Sequence, residues 1–275
     1  MTGALGFARP GDETQLLALY LRCFPDGPAF WQWFFEKGPY RPGDTLVWRE
    51  GEQIVSSLQM LPVTLARGKA RFAAHYIYAA STLPEHRGRG LMGRLLAGAA
   101  EEGLRRGQQY SVLIVEEPGL LDYYARFGYL PQICWKQQAA SPAGLLPGER
   151  CRPMSPEDIP AVNGLYERAA GKLLFGVRPP EHWETQLELY PNGAVILEEN
   201  DAVKAYCFAD KAAVAVAEAV GEGACRLAGH IAPGCAQYPA PSPEADRAAG
   251  SIRPLTEQAA RLLGSRPVYL NLMYN

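Results

Sequence analysis

Glycine and arginine crowd one short stretch of the 275-residue chain, Arg87-Gly88-Arg89-Gly90-Leu91-Met92-Gly93-Arg94. It follows an apolar run ending in Ala79-Ala80-Ser81-Thr82 and opens into a segment of helical period, so it reads as strand, turn and helix. Glycines lack the Cβ that would hold a ligand off the backbone, and the N–H groups they leave open lie at the positive end of the following helix. That is a seat for phosphate. Arg87, Arg89 and Arg94 add positive charge on the same turn, which suits a pyrophosphate better than a carboxylate.

As a bare pattern, Gly88-x-Gly90-x-x-Gly93 also matches the dinucleotide-binding fingerprint, with Glu116 near the place of a ribose-binding acid. Two features speak against that reading. The bridge Pro84-Glu85-His86-Arg87 separates the first glycine from its strand, and the motif follows a long segment that does not alternate strand with helix. Binding of NAD in place of coenzyme A is the observation that separates the two.

The loop resembles the core signature of the GNAT superfamily of acyl-CoA-dependent N-acetyltransferases, [Gln/Arg]-x-x-Gly-x-[Gly/Ala]. Here it reads Arg87-x-x-Gly90, with Met92 at the last position and Gly93 after it. The segment Leu120-Leu121-Asp122-Tyr123-Tyr124-Ala125-Arg126-Phe127-Gly128-Tyr129 resembles the second signature, a helix closing on tyrosine and a glycine C-cap. The resemblance implies an α/β (α+β mixed sheet) GNAT fold, its central, mostly antiparallel sheet splayed at the cofactor site. It implies acetyl-CoA as acyl donor, with Arg87, Gly88, Arg89, Gly90, Leu91, Met92 and Gly93 holding the pyrophosphate. The strand edge Ala80-Ser81-Thr82 would pair with the pantetheine, and Tyr124 would protonate the leaving thiolate, with Tyr123 turned to the core.

The implied reaction is acetylation of a primary amine, on a small cationic molecule, an aminoglycoside among them, or on lysine. The alternative is an acyl-CoA-binding sensor without turnover. Many family members hold a glutamate on the strand before the loop, but that strand reads Tyr76, Tyr78, Ala79, Ala80. The base is left among Glu116, Glu117, His75 and the terminal carboxylate of Asn275. The last follows two-domain members of the aminoglycoside-acetylating "enhanced intracellular survival" type, whose C-terminus reaches the active site. Glu116, Glu117 and Asp122 suggest an acidic cleft.

Around the motif, alternation places strands at 45–49, 53–66 and 70–82, with turns at Glu50-Gly51-Glu52 and Arg67-Gly68-Lys69. A helix capped by Asp12 carries Leu16, Leu17, Leu19, Tyr20 and Cys23 on one face, an aromatic helix runs from Pro28 to Lys37, and Ser111 to Val115 reads as a strand buried on both faces. Leu130 to Gln137 would be the last strand of the first domain, residues 1–140. A proline- and glycine-rich linker spans 141–150, and from Cys151 the opening pattern restarts without a second Arg-x-x-Gly loop. Residues 151–275 therefore read as a degenerate GNAT-like α/β domain that shapes the acceptor pocket and ends in a strand, Pro267 to Tyr274.

A formal net charge of -2 gives no bulk reason to bind nucleic acid or an anionic membrane. The six cysteines form no Cys-x-x-Cys pair and the four histidines no ligand spacing, so no metal is expected. Without a leader or a long apolar run, the expectation is a cytoplasmic protein. Oligomeric state leaves no mark in the sequence.

Overall fold

The computed structural model describes residues 3–245 and 247–273. In chain order the elements are β1 (Ala4–Phe7), α1 (Glu13–Cys23), α2 (Pro28–Glu36), β2 (Thr45–Glu50), β3 (Gln53–Arg67), β4 (Ala70–Thr82), α3 (Leu91–Arg105), β5 (Tyr110–Ile114), α4 (Gly119–Ala125) and β6 (Leu130–Ala139). Then come β7 (Glu149–Pro153), α5 (Ile159–Ala170), β8 (Leu174–Gly176), α6 (Pro180–Leu189), β9 (Ala194–Glu199), β10 (Ala202–Asp210), β11 (Ala215–Gly221) and α7 (Ala224–Ile231). The series closes with β12 (Gln237–Ala240), β13 (Arg247–Pro254), α8 (Glu257–Leu263) and β14 (Val268–Tyr269).

The chain divides into two compact units. The first is Met1–Thr64, Phe72–Leu130 and Ser251–Gly264; the second is Leu65–Arg71, Pro131–Gly250 and Ser265–Asn275. The stretch 141–150 thus lies inside the second unit. In the first, β1 to β4 follow one another across the sheet, with β1–β2 and β2–β3 antiparallel and β5 parallel to β4. Gly51 and Gly68 turn the hairpins with φ of 61° and 56°. The apolar stripe of α3 buries Leu91, Leu95, Leu96, Ala99 and Ala100 and leaves Leu104 exposed, with Leu95, Leu96 and Ala99 packing on Leu58, Met60 and Leu113 of the sheet.

One expectation is corrected. The strand at 130–137 does not close the first unit: β6 pairs with β12 antiparallel and with β14 parallel, all within the second. Beside β5 stands β13 instead, whose Ser251–Pro254 stretch returns to the first unit with α8. Leu255 N–H donates to Gln109 O at 2.9 Å, and the Tyr110 hydroxyl to Ala259 O at 3.0 Å. Arg247-Ala-Ala-Gly-Ser-Ile-Arg-Pro254 has one β-branched residue, so propensity gave little sign of a strand that tertiary packing makes.

In the second unit the sheet order β7-β9-β10-β11 repeats that of β1-β2-β3-β4, and β11 likewise runs through a glycine turn into α7. Alternation along β9 sends Val195 and Leu197 to one core with Leu227 and Ala228 of α7, and Ile196 to another with Val162 and Tyr166 of α5. Fully buried Glu218 takes both arms of Arg178, at 2.6 and 2.8 Å, and the hydroxyls of Tyr206 and Tyr269, at 2.6 and 2.5 Å. The C-terminal strand is shorter than expected, ending at Tyr269, with Leu272 in the left-handed region at φ 52°.

Candidate active site

β4 and β5 pair only from Ala74↔Tyr110 to Tyr76↔Val112. Beyond that point Ala79 adopts φ 48°, an unfavourable conformation for a residue with a Cβ, and the strands part. A cleft of about 620 Å3 opens in the first unit, and Ala80, Ser81, Thr82, Arg87, Gly88, Gly90, Leu91, Met92, Gly93 and Tyr124 all line it. Of the expected cofactor-binding residues, all but Arg89 stand in this lining.

The turn is built for an anion. Gly88 and Gly90 have φ of 74° and 73°, and a Cβ added at either would meet nothing within 4 Å, so the backbone faces open space. Gly90 caps α3, whose first turn has no acidic residue. Among the described residues, no amide from Gly88 to Gly93 donates a hydrogen bond; the first to do so is Arg94 N–H, to Gly90 O at 3.2 Å. These donors at a helix N-terminus fit the pyrophosphate of coenzyme A. The matching turn of the second unit does not: a Cβ at Gly223 would lie 2.6 Å from Leu197 Cδ2, and Arg226 beside it is paired with Glu149.

Not every expected cation faces the cleft. Arg89 is turned to Glu50, at 2.6 Å, and to His86, and is absent from the lining. Arg94 lies over the Trp48 ring, 5.2 Å from its centre. Arg87 stays in the lining and donates from Nε to Thr82 O at 3.1 Å. Gly93 has a packing reason rather than a ligand one, since a Cβ there would sit 2.6 Å from Phe127 Cε1.

Tyr124 is half-buried against Met92, Phe127 and Tyr129, and among the described residues no hydrogen bond holds its hydroxyl. Burial pushes its phenol well up, so it carries its proton at neutral pH. Tyr123 lines the cleft too, contrary to the expectation that it turns to the core. His75 is no base. It is fully buried off the cleft, bonded to Gln108 Oε1 at 2.6 Å, and burial pushes its pKa down to about 4. Glu116, Glu117 and Asp122 are exposed and outside the lining, which holds Arg87 and Arg126 and no carboxylate, so the cleft is not acidic. Asn275 lies outside the described residues.

Cys23 and Phe24, at the end of α1, also form the wall, and no motif marks them for it. Cys23 Sγ reaches Thr82 O at 3.5 Å, a contact made only by folding.

A mixed sheet splayed beside a glycine turn and a helix N-terminus defines an acyl-CoA-dependent transferase domain. Residues 7–131 match the family model of the acetyltransferase (GNAT) domain, and this part of the chain is a GNAT domain, a family whose acyl donor is acetyl-CoA. Among solved structures, the GCN5-related N-acetyltransferase from Kribbella flavida is similar with a TM-score of 0.72 at 18% identity, over 94% of this chain and 73% of that one. Eis1 from Mycobacterium abscessus gives 0.66 at 17% identity, over 95% and 76%. A GCN5-related N-acetyltransferase from Anabaena variabilis gives 0.67 at 16%, over 94% and 74%. At such identities the likeness is one of fold. No curated protein matches the chain by sequence.

Proposed function

We propose that the chain transfers an acetyl group from acetyl-CoA to a primary amine, of a small molecule or of lysine, with the first unit holding the donor. One observation carries the reading: the amides from Gly88 to Gly93 have no internal acceptor, and the turn is open at Gly88 and Gly90, in a cleft shared with Tyr124. Acetyl-CoA supplies the activated acyl group. The turn and Arg87 bind its diphosphate, and the edge Ala80-Ser81-Thr82 lies along its pantetheine arm. The amine enters neutral; its nitrogen bonds to the carbonyl carbon, the C–S bond breaks, and Tyr124 gives its proton to the departing sulfur. The nitrogen releases a proton to water, and Tyr124 regains one from solvent.

The second unit, a degenerate repeat whose glycine turn is filled by its own side chains, takes no donor in this reading. The free cysteines support a reducing compartment such as the cytoplasm. Among the described residues no helix is long and apolar enough to cross a membrane. Thiol release from acetyl-CoA across a panel of primary amines tests the proposal, with Gly90→Glu and Tyr124→Phe as controls. Wild-type protein that releases no thiol with any of them overturns it.

A further inference from the structure

A second cleft, of about 500 Å3, opens within the second unit and shares no residue with the coenzyme cleft. Small-molecule sites commonly have this size. One side of it is a face of the β6–β12 ladder. Trp135 and Gln137 are alternate residues of β6 and so point the same way, and Pro239, which pairs with Gln137, stands beside them. Another side is the start of β11, Val214 to Ala217, at the far end of that strand from the filled Gly223 turn, so this is no second coenzyme seat.

Asn271 and Leu272 complete the lining and are held from several sides. Just before them, Leu270 O accepts from Trp135 Nε1 at 2.9 Å; Asn271 O accepts from Arg178 Nη2 at 3.1 Å, and Arg178 is itself locked to Glu218 in the core. His182 is hydrogen-bonded to the Leu272 main chain. Val214 and Leu272 both sit in the left-handed region, each with φ 52°, a strained conformation that persists only where neighbours over-determine it and that gathers at binding sites. What the cleft can offer follows from which groups are already spent. Trp135 has given its one N–H to Leu270 O, so it presents ring surface. Asn271 is 6% exposed, and its Nδ2 serves two acceptors, Ala217 O at 2.9 Å and Glu218 Oε2 at 3.4 Å, which fixes the orientation of the amide. Its Oδ1 accepts nothing among the described residues and is not sealed from solvent, so this wall of the cleft calls for an N–H or O–H donor. Among the described residues Arg247 is the one charged group of the lining, and no carboxylate there pairs with it.

We propose that this cleft binds a small planar heteroaromatic anion, its ring against Trp135, its ring N–H on Asn271 Oδ1 and its carboxylate or phosphate on Arg247. The pinned walls leave little to order on binding, which favours a ligand of few atoms. The inference stands independently of the acetyl-transfer reading.

The test is calorimetric titration of the intact chain with two probes that each carry a ring N–H, indole-3-acetate as the carboxylate and uridine 5′-monophosphate as the phosphate. At least one should bind with a Kd of about 0.1–1 mM, and the tighter of the two names the source of the anion. The N-methylated form of that probe, which cannot donate, should bind about threefold to tenfold more weakly. Its uncharged counterpart, indole-3-acetamide or uridine, should bind about threefold more weakly, a difference that Arg247→Gln should erase. Ala236→Trp, at an exposed position of the lining, should fill the cleft and abolish binding while Tm stays near that of the wild type. The inference is overturned if neither probe binds at about 5 mM, if Ala236→Trp binds as the wild type does, if the N-methylated form binds equally well, or if Arg247→Gln leaves the difference between anion and neutral form intact. None of these results bears on thiol release.

Discussion

Replacing Gly93 by alanine sets two effects of opposite sign against each other. Glycine to alanine inside a helix stabilises by roughly 0.5–1 kcal/mol. Here the new methyl would lie 2.6 Å from Phe127 Cε1 and 3.1 Å from Cζ, and such overpacking costs about 1–3 kcal/mol. The expected balance is a loss of about 1 kcal/mol, which lowers Tm by about 2–4 °C in a chain of this size. Phe127 lines the cleft, so a ring pushed aside moves into the volume the acyl donor needs. Acetyl-CoA affinity should fall by about fivefold to tenfold. Scanning calorimetry reads the first quantity and isothermal titration the second. Phe127→Leu removes Cε1 and Cζ, and in that background Gly93→Ala should turn stabilising. If Gly93→Ala raises Tm in the wild-type background, Phe127 is not what keeps position 93 glycine, and the reasoning fails.

Three further outcomes are expected. Tyr124→Phe should cost about a hundredfold in kcat with acetyl-CoA affinity unchanged, as loss of a general acid requires; equal rates in a steady-state assay would remove Tyr124 from that role. His75 titrates near 6.5 unfolded and about 4 folded, so its contribution is complete above pH 6.5 and is lost as pH falls towards 4, because only the unfolded chain binds the proton in that window. At pH 5 the loss is about 2 kcal/mol, and His75→Gln should flatten the urea-midpoint profile between pH 7 and 5 relative to wild type. Glu218→Gln leaves buried Arg178 without its counter-charge and should cost about 3–5 kcal/mol by denaturant titration, more than the double change Glu218→Leu with Arg178→Met.

What the sequence could tell followed from local rules. The meander at 45–82 and the glycine turn were legible because period-2 alternation, hairpin glycines and a helical stripe each act over a few residues. The convergence of Ala80, Gly90 and Tyr124 was legible because two signatures place them. Side-chain commitments were not. Arg89 and Arg94 look alike as charges beside Arg87, and only the folded positions of Glu50 and Trp48 draw them off. Glu116 and Glu117 end a strand near the cleft and still miss its wall, since position along a chain fixes neither exposure nor direction. β13 stayed invisible because small residues carry weak strand preference, and its partner β5 lies more than a hundred positions earlier.

The return of Ser251–Gly264 to the first unit has a consequence for how the protein is made. On the ribosome, the neighbour of β5 and the carbonyl that receives the Tyr110 hydroxyl are still unsynthesised when the whole glycine turn before α3 has emerged. The nascent domain must wait, with one flank of its sheet unpaired, until the intervening unit has been translated. A gene fragment stopped near residue 140 should yield an insoluble product, and grafting 251–264 onto it through a short linker is the rational way to a minimal enzyme.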